Sequence, residues 1–166
     1  MRFLYSILAL SIFFLDRLTK TVVESHFALY ESKNIIPGIL NFTHIRNKGM
    51  AFGILSDTTW TWVPYLLSLF ATIAFILILM FALFTPVNRR RLQVGLMLIL
   101  GGALGNLYDR FRYGYVTDFI EVFYKSYHWP IFNLADSSIT IGVGLLLLEI
   151  LNRELGLSRQ TSRNIT

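Results

Sequence analysis

The sequence predicts an all-α integral membrane protein: a four-helix transmembrane bundle with a small extracytoplasmic β-sheet element between the first two helices. Three observations predict it. Hydrophobic residues make up 54% of the 166 positions, and the mean hydropathy is +0.55, both above the usual level of a soluble domain. Four stretches approach the roughly 20 mostly apolar residues needed to cross a hydrocarbon core about 30 Å thick. The charged residues gather at the ends of those stretches. One domain over residues 1–166 accounts for the length.

The first span covers about residues 3–23, with Asp16 and Lys20 in its last turns. Arg2 followed by Phe3–Leu15 resembles a signal peptide, yet no small-x-small cleavage site follows, so the segment is expected to be retained. Residues 24–59 are too long for a plain turn and too polar to span. Within them, Ile36-Pro-Gly-Ile-Leu-Asn-Phe-Thr-His-Ile-Arg46 alternates apolar and polar residues after a Pro-Gly turn, which predicts short strands at the interface. The second span, about 60–84, has no charge between Asp57 and Arg89. The loop Thr85–Arg91 leads into a third span over about 92–111. Residues 112–133 hold an aromatic run, Tyr113–Trp129. Tyr and Trp favour the headgroup level, so this run reads as a flap or an interfacial helix. The fourth span covers about 134–151, and a polar tail begins at Arg153.

Four spans put both termini and the Arg89-Arg90-Arg91 loop on one side. The positive-inside rule assigns that side to the cytoplasm, with Arg2, Arg153, Arg159 and Arg163. The opposite side carries Lys33, Arg46 and Lys48, with Arg110, Arg112 and Lys125 near span ends. The net charge of +5 does not indicate a nucleic-acid partner, because the basic residues lie at the ends of apolar runs rather than on one face. Anchoring to anionic headgroups of membrane lipids is the simpler account. Cysteine is absent, which excludes disulfides, thiolate catalysis and Cys-ligated metals.

Asp118 and Asp136 stand at or just inside the extracytoplasmic edge of the bilayer. An ionisable group there marks a functional site by default. Two carboxylates at close range cannot both ionise cheaply, so one keeps a proton. That asymmetry suits peptide hydrolysis: the ionised group activates water while the protonated one polarises the scissile carbonyl. A structural alternative stays open, in which each aspartate caps a helix or pairs with an arginine. Asp136, ahead of Ser137-Ser138-Ile-Thr140, fits an N-cap.

Gly101 and Gly105 form a small-xxx-small face for close helix approach. Asn106 and Asp109 share a helical face, and Arg110 is expected to pair with Asp109 or another carboxylate. These three read as a supporting polar network, with Asp109 a lesser candidate for a third catalytic carboxylate. Asp16 and Lys20, spaced i,i+4, read as a structural ion pair, or Lys20 meets a lipid phosphate. Asn47, Gly49 and Asn133 adjoin the two aspartates and read either as substrate-holding groups or as turn residues. His26, His44 and His128 lack metalloprotease spacing. No metal or cofactor is expected.

Five elements, in order along nearly the whole chain, resemble those of the bacterial lipoprotein signal peptidases (signal peptidase II). Asp16-Arg-Leu-Thr-Lys20 is similar to the family's D-x-x-x-K. Asn47-Lys-Gly49-Met-Ala51-Phe52 is similar to N-x-G-A-A-F, with Met50 where alanine is usual. Gly101–Arg110 is close to the G-N-x-x-D-R block, Val116-Thr-Asp118-Phe119 to V-x-D-F, and Phe132-Asn133-Leu-Ala135-Asp136-Ser137 to F-N-x-A-D-S. The resemblance implies an integral aspartic endopeptidase of the bacterial inner membrane, and separately a monomer is expected. It implies a diacylglyceryl-modified prolipoprotein substrate, cut just before the lipidated cysteine. By the same resemblance Asp118 and Asp136 form the catalytic pair. Asn47, Gly49, Asn106, Asp109, Arg110, Asn133 and Ala135 shape or support the site, and Asp16 and Lys20 belong to a conserved element of the first span. Two other readings of the residues remain: a proton-coupled transporter or lipid-binding protein, disfavoured because the carboxylates lie near the edge and no repeat is evident, and a structural subunit with the carboxylates paired to Arg110 and Arg112.

Overall fold

The computed structural model describes residues 2–49 and 62–163. Met50, Ala51 and Phe52, the second half of the Asn47 element, lie outside the described residues. Four long helices carry the chain: α1 (Arg2–His26), α2 (Val63–Phe84), α3 (Arg90–Tyr113) and α4 (Leu134–Arg163). Four strands complete it: β1 (Ser32–Ile36), β2 (Leu40–Asn47), β3 (Val116–Tyr124) and β4 (Tyr127–His128).

α3 is the inner helix, packed against each of the other three. Leu92, Leu96, Ile99, Leu100 and Leu107 are buried along it. Leu96 and Leu100 pack with Ala82 from α2, Tyr5, Leu8 and Ala9 from α1 and Leu146 from α4. Outward, α2 exposes Leu69, Phe70, Ile73, Ile76 and Leu77, the surface expected of a helix whose solvent is hydrocarbon. Gly101 sets the α1–α3 distance. A Cβ there would stand 2.6 Å from the Ala9 carbonyl oxygen and 2.8 Å from Ile12 Cβ, so only glycine lets the two backbones approach this closely.

α2 stops because Pro86 forces Thr85 into the extended region, at ψ 130°. The Gln93 side chain from the next helix then covers the freed carbonyls: its Nε2 donates to the oxygens of Ala82 (3.2 Å) and Thr85 (2.8 Å). α3 ends at Gly114, whose φ of 78° and N–H bond to the Arg110 oxygen make a left-handed C-cap. That reversal sends the chain directly into β3.

The sheet is antiparallel with order β1-β2-β3-β4. Pro37-Gly38 turns β1 into β2 by an Ile39 N–H bond to the Ile36 oxygen and a Gly38 φ of 76°, as a type II turn requires. β2 pairs with β3 so that Asn47 faces Val116 and Ile45 faces Asp118.

Two expectations need correction. The protein is mostly helical rather than all-α, because Tyr113–Trp129 is not an interfacial helix. It supplies β3 and β4, so the sheet draws on both long connections rather than only the one between the first two helices. Val116–Tyr124 is rich in β-branched and aromatic residues, and β2 offers it a partner edge. The apolar part of α4, Leu134–Asn152, matches the expected fourth span, and the helix continues beyond it to Arg163. Three helical segments, Tyr65–Phe84, Arg90–Tyr113 and Leu134–Asn152, are long and apolar enough to cross a membrane. α1 is not among them because Asp16, Arg17 and Lys20 interrupt its apolar run. Asp16 and Lys20 are turned inward and fully buried.

Candidate active site

Asp118 sits on β3, in the half of the strand that pairs with the end of β2. Asp136 occupies the first turn of α4. Asn133 joins them. Its Oδ1 accepts from the Asp136 N–H at 2.9 Å, while the Asp136 Oδ2 accepts from the Asn133 N–H at 3.2 Å. This reciprocal pair is a capping box, with Asn133 as the N-cap and Asp136 three residues inside. The N-cap role considered for Asp136 therefore belongs to Asn133. The Asn133 Nδ2 meanwhile donates to Asp118 Oδ1 at 2.7 Å. One fully buried residue thus holds both carboxylates, Asp118 by its side-chain amide and Asp136 by its backbone N–H.

Asn47, the last residue of β2, donates from Nδ2 to Asp118 Oδ2 at 2.9 Å. Its own oxygen accepts from the Gly49 N–H at 2.9 Å, a local turn that orients the amide. From α3, Asn106 donates to Asp136 Oδ1 at 2.8 Å. The Asn106 oxygen accepts from Lys20 Nζ at 2.9 Å and from Asn133 Nδ2 at 3.2 Å, which fixes the direction of its amide.

Behind this layer lies a buried ionic cluster. Lys20 Nζ stands 2.7 Å from Asp16 Oδ2 and 2.9 Å from Asp109 Oδ2. Arg17 pairs with the other oxygen of Asp109. Asp16 Oδ1 accepts from the Ala135 N–H at 2.9 Å, satisfying a donor that the start of α4 would otherwise leave orphaned. Asp16, Lys20, Asp109 and Ala135 are all fully buried. Gly105 is required here, since a Cβ on it would collide with the Asp16 carboxylate.

Asn47, Asn106, Arg110, Asp118 and Asp136 line one wall of a cavity of about 580 Å³. Trp129, Ile131, Phe132, Ile139 and Ile141 make its apolar remainder. Among the described residues, no ion pair involves Asp118 or Asp136. Burial first, and the negative charge of Asp136 second, push the Asp118 carboxyl up to about 7, against the opposing hydrogen bonds from Asn47 and Asn133.

The structure therefore brings together Asn47, Asn106, Arg110, Asn133, Asp118 and Asp136 at the cavity. Asp16, Lys20, Asp109 and Ala135 lie behind it. Asp109 does not pair with Arg110, as its position in the sequence suggested, but with Arg17 and Lys20. Among the described residues Arg110 hydrogen-bonds the Asn106 backbone oxygen alone, at 3.5 Å, and it lines the cavity. Sequence reasoning missed Arg17. It also missed the hydrogen bond from Thr117 Oγ1 to Glu24 Oε1, at 2.5 Å. The signal available was the i,i+4 spacing that continues from Asp16 and Lys20 to Glu24.

A family model for signal peptidase (SPase) II matches residues 8–152. The chain is 44% identical over 147 residues to the lipoprotein signal peptidase of Solibacter usitatus (strain Ellin6076), covering 89% of each chain. It is 40% identical over 151 residues to that of Syntrophus aciditrophicus (strain SB), covering 91% of this chain and 94% of the relative. In three dimensions it is similar to a bacterial membrane enzyme solved by the in meso method at 2.3 Å, with a TM-score of 0.73 and 34% identity, covering 89% of this chain and 87% of that one.

Proposed function

The chain belongs to the signal peptidase II family, and we propose that it is an aspartic endopeptidase in which Asp118 and Asp136 activate water. Its substrate is a diacylglyceryl-modified prolipoprotein, cut just before the lipidated cysteine. The observation that carries this reading is the joint placement of two carboxylates, neither in an ion pair among the described residues, beside one cavity and both held by Asn133, Asp118 through its side-chain amide and Asp136 through its backbone N–H.

The pair holds one proton between its members near neutral pH, because burial and mutual repulsion oppose a second charge. The ionised carboxylate takes a proton from the attacking water. The protonated one donates to the scissile carbonyl oxygen as it becomes tetrahedral, and a proton then passes to the departing amine. Asn47, Asn106 and Asn133 keep the carboxylate oxygens aimed. Arg110, on the cavity wall, supplies positive charge where the oxyanion develops. The apolar wall from Trp129 to Ile141 accommodates acyl chain and signal peptide.

The enzyme sits in the inner membrane with all four helices crossing it, α1 included because its Asp16 and Lys20 face protein rather than lipid, and so with both termini in the cytoplasm. Arg89, Arg90 and Arg91 mark the cytoplasmic end of α3, by the positive-inside rule. Asn106 lies 16 residues further on, about 24 Å along the helix axis, which sets the site toward the extracytoplasmic face. A lipidated cysteine is held by its acyl chains at that depth.

The test is a gel-shift cleavage assay on a diacylglyceryl prolipoprotein with wild type, Asp118→Asn and Asp136→Asn, each checked by thermal melting. Cleavage by wild type, with a loss of about 10²–10⁴-fold or more in both folded variants, is the expected result. Undiminished cleavage by either variant removes that residue from the reacting pair.

A further inference from the structure

Thr117 is fully buried, and its hydroxyl donates to Glu24 across 2.5 Å. Such a length is that of a bond to a charged acceptor. Side chains alternate along a strand, so Thr117 faces α1 while its neighbour Asp118 faces the cavity. A buried strand position is ordinarily filled by an apolar β-branched residue. A hydroxyl there needs an acceptor, and Glu24 supplies it.

Glu24 follows Lys20 by one helical turn and Asp16 by two, so the three side chains lie in a stripe on one face of α1. Each grips a different element that bears a site group. Asp16 holds the Ala135 N–H at the start of α4. Lys20 holds Asn106 on α3. Glu24 holds Thr117 on β3. The Thr117 backbone oxygen also accepts from Asn133 Nδ2 at 3.4 Å, so this residue is tied both to α1 and to the amide that binds Asp118.

We propose that Glu24 is a positioning residue for Asp118, acting through the Thr117 hydroxyl, and that the stripe Asp16, Lys20, Glu24 makes α1 the template for the spacing of the two carboxylates. The inference rests on the reading of Asp118 and Asp136 as the reacting pair. Without the Glu24 bond, β3 is released from α1 next to its reacting residue, and Asp118 relaxes away from Asp136.

The groups around Asp118 are Asp136 from α4, Arg110 from α3 and Lys20 from α1, with the amides of Asn47 and Asn133. Relaxation rehydrates Asp118 and takes it away from the charge of Asp136, the two causes that raise its carboxyl, so the proton leaves the pair at lower pH. A role confined to stability would not move that titration.

The full chain, reconstituted in lipid, is assayed for kcat and KM across neutral pH as wild type, Thr117→Val, Thr117→Ser, Glu24→Ala and the double variant Glu24→Ala/Thr117→Val. Thr117→Val and Glu24→Ala are expected to lower kcat about 10- to 100-fold, the scale of an ångström of misplacement, with KM little changed. The alkaline limb of the profile moves to lower pH in both. Thr117→Ser restores most of the activity, and the double variant is no worse than either single one. Wild-type kcat and pH limb in both single variants overturn the inference, as do losses that multiply in the double variant. If Thr117→Val fails to fold, Glu24→Ala, at a half-buried position on α1, carries the test alone. Asp118→Asn runs beside them: residual cleavage there fails the aspartate-pair reading, whereas an inactive Asp118→Asn with wild-type-like Glu24→Ala fails only the positioning role.

Discussion

Asn133 donates to Asp118 over 2.7 Å from the same side chain whose oxygen caps α4 through the Asp136 N–H. Capping and positioning are therefore separable by substitution. Serine preserves an N-cap oxygen but has no amide nitrogen to reach Asp118. Asn133→Ser is expected to retain the fold, while Asn133→Ala loses a further ~1 kcal/mol of capping. Both lose turnover by about tenfold or more, in line with the loss of a hydrogen bond to a charged group. Thermal melts paired with cleavage rates check the separation; a fully active Asn133→Ser would show the amide to be dispensable.

Lys20 neutralises two fully buried carboxylates at 2.7 and 2.9 Å. Removing one partner from such a cluster leaves uncompensated charge and costs about 3–5 kcal/mol. Lys20→Met, close in volume, is expected to lower the melting temperature by roughly 6–20 °C. Arg17 still serves Asp109, so Asp16 is the group left exposed to the penalty. Asp16→Asn added to Lys20→Met should recover part of the loss. An unchanged melting temperature in Lys20→Met, with turnover abolished, would contradict the structural role.

The apolar runs made the helices legible, because a bilayer solvent leaves little choice but a helix for about 20 apolar residues. The Pro37-Gly38 turn and the alternation after it marked β2, while β1, Ser32–Ile36, lies ahead of that stretch. β3 was hidden for a physical reason: Val116–Tyr124 is stabilised by pairing with residues some seventy positions earlier, and its aromatics satisfy a headgroup reading equally well. The two aspartates stood out because charges are rare at that depth. The role of Asp109 did not, since Arg110 is its neighbour in sequence and Arg17 is not. The Arg17 guanidinium comes over α3 only because Gly101 and Gly105 let α1 approach.

That close approach makes its own prediction. A Cβ at Gly101 meets α1 backbone at 2.6 Å, whereas one at Gly144, on α4, meets nothing within 4 Å. Gly101→Ala is expected to destabilise by about 1–3 kcal/mol through overpacking. Gly144→Ala is expected to be neutral or to gain up to ~1 kcal/mol from helix propensity. Melting the two variants side by side in one detergent separates contact from propensity. Equal melting temperatures would mean that α1 is free to move away from α3.

The Asp118 carboxyl, pushed from 3.8 to about 7 by burial and by Asp136, links stability to pH. Between these values the folded chain holds a proton that the unfolded chain has released. The contribution of this group to stability is therefore full below about 3.8 and lost as pH rises through about 7. Asp118→Asn, neutral at every pH, should flatten that part of the melting-temperature profile and raise the melting temperature of the variant relative to wild type above neutrality. The same proton is one that turnover needs, so kcat/KM should fall on the alkaline side of about 7 with a slope approaching tenfold per pH unit. A melting profile whose alkaline slope survives unchanged in Asp118→Asn would assign the titration to another group.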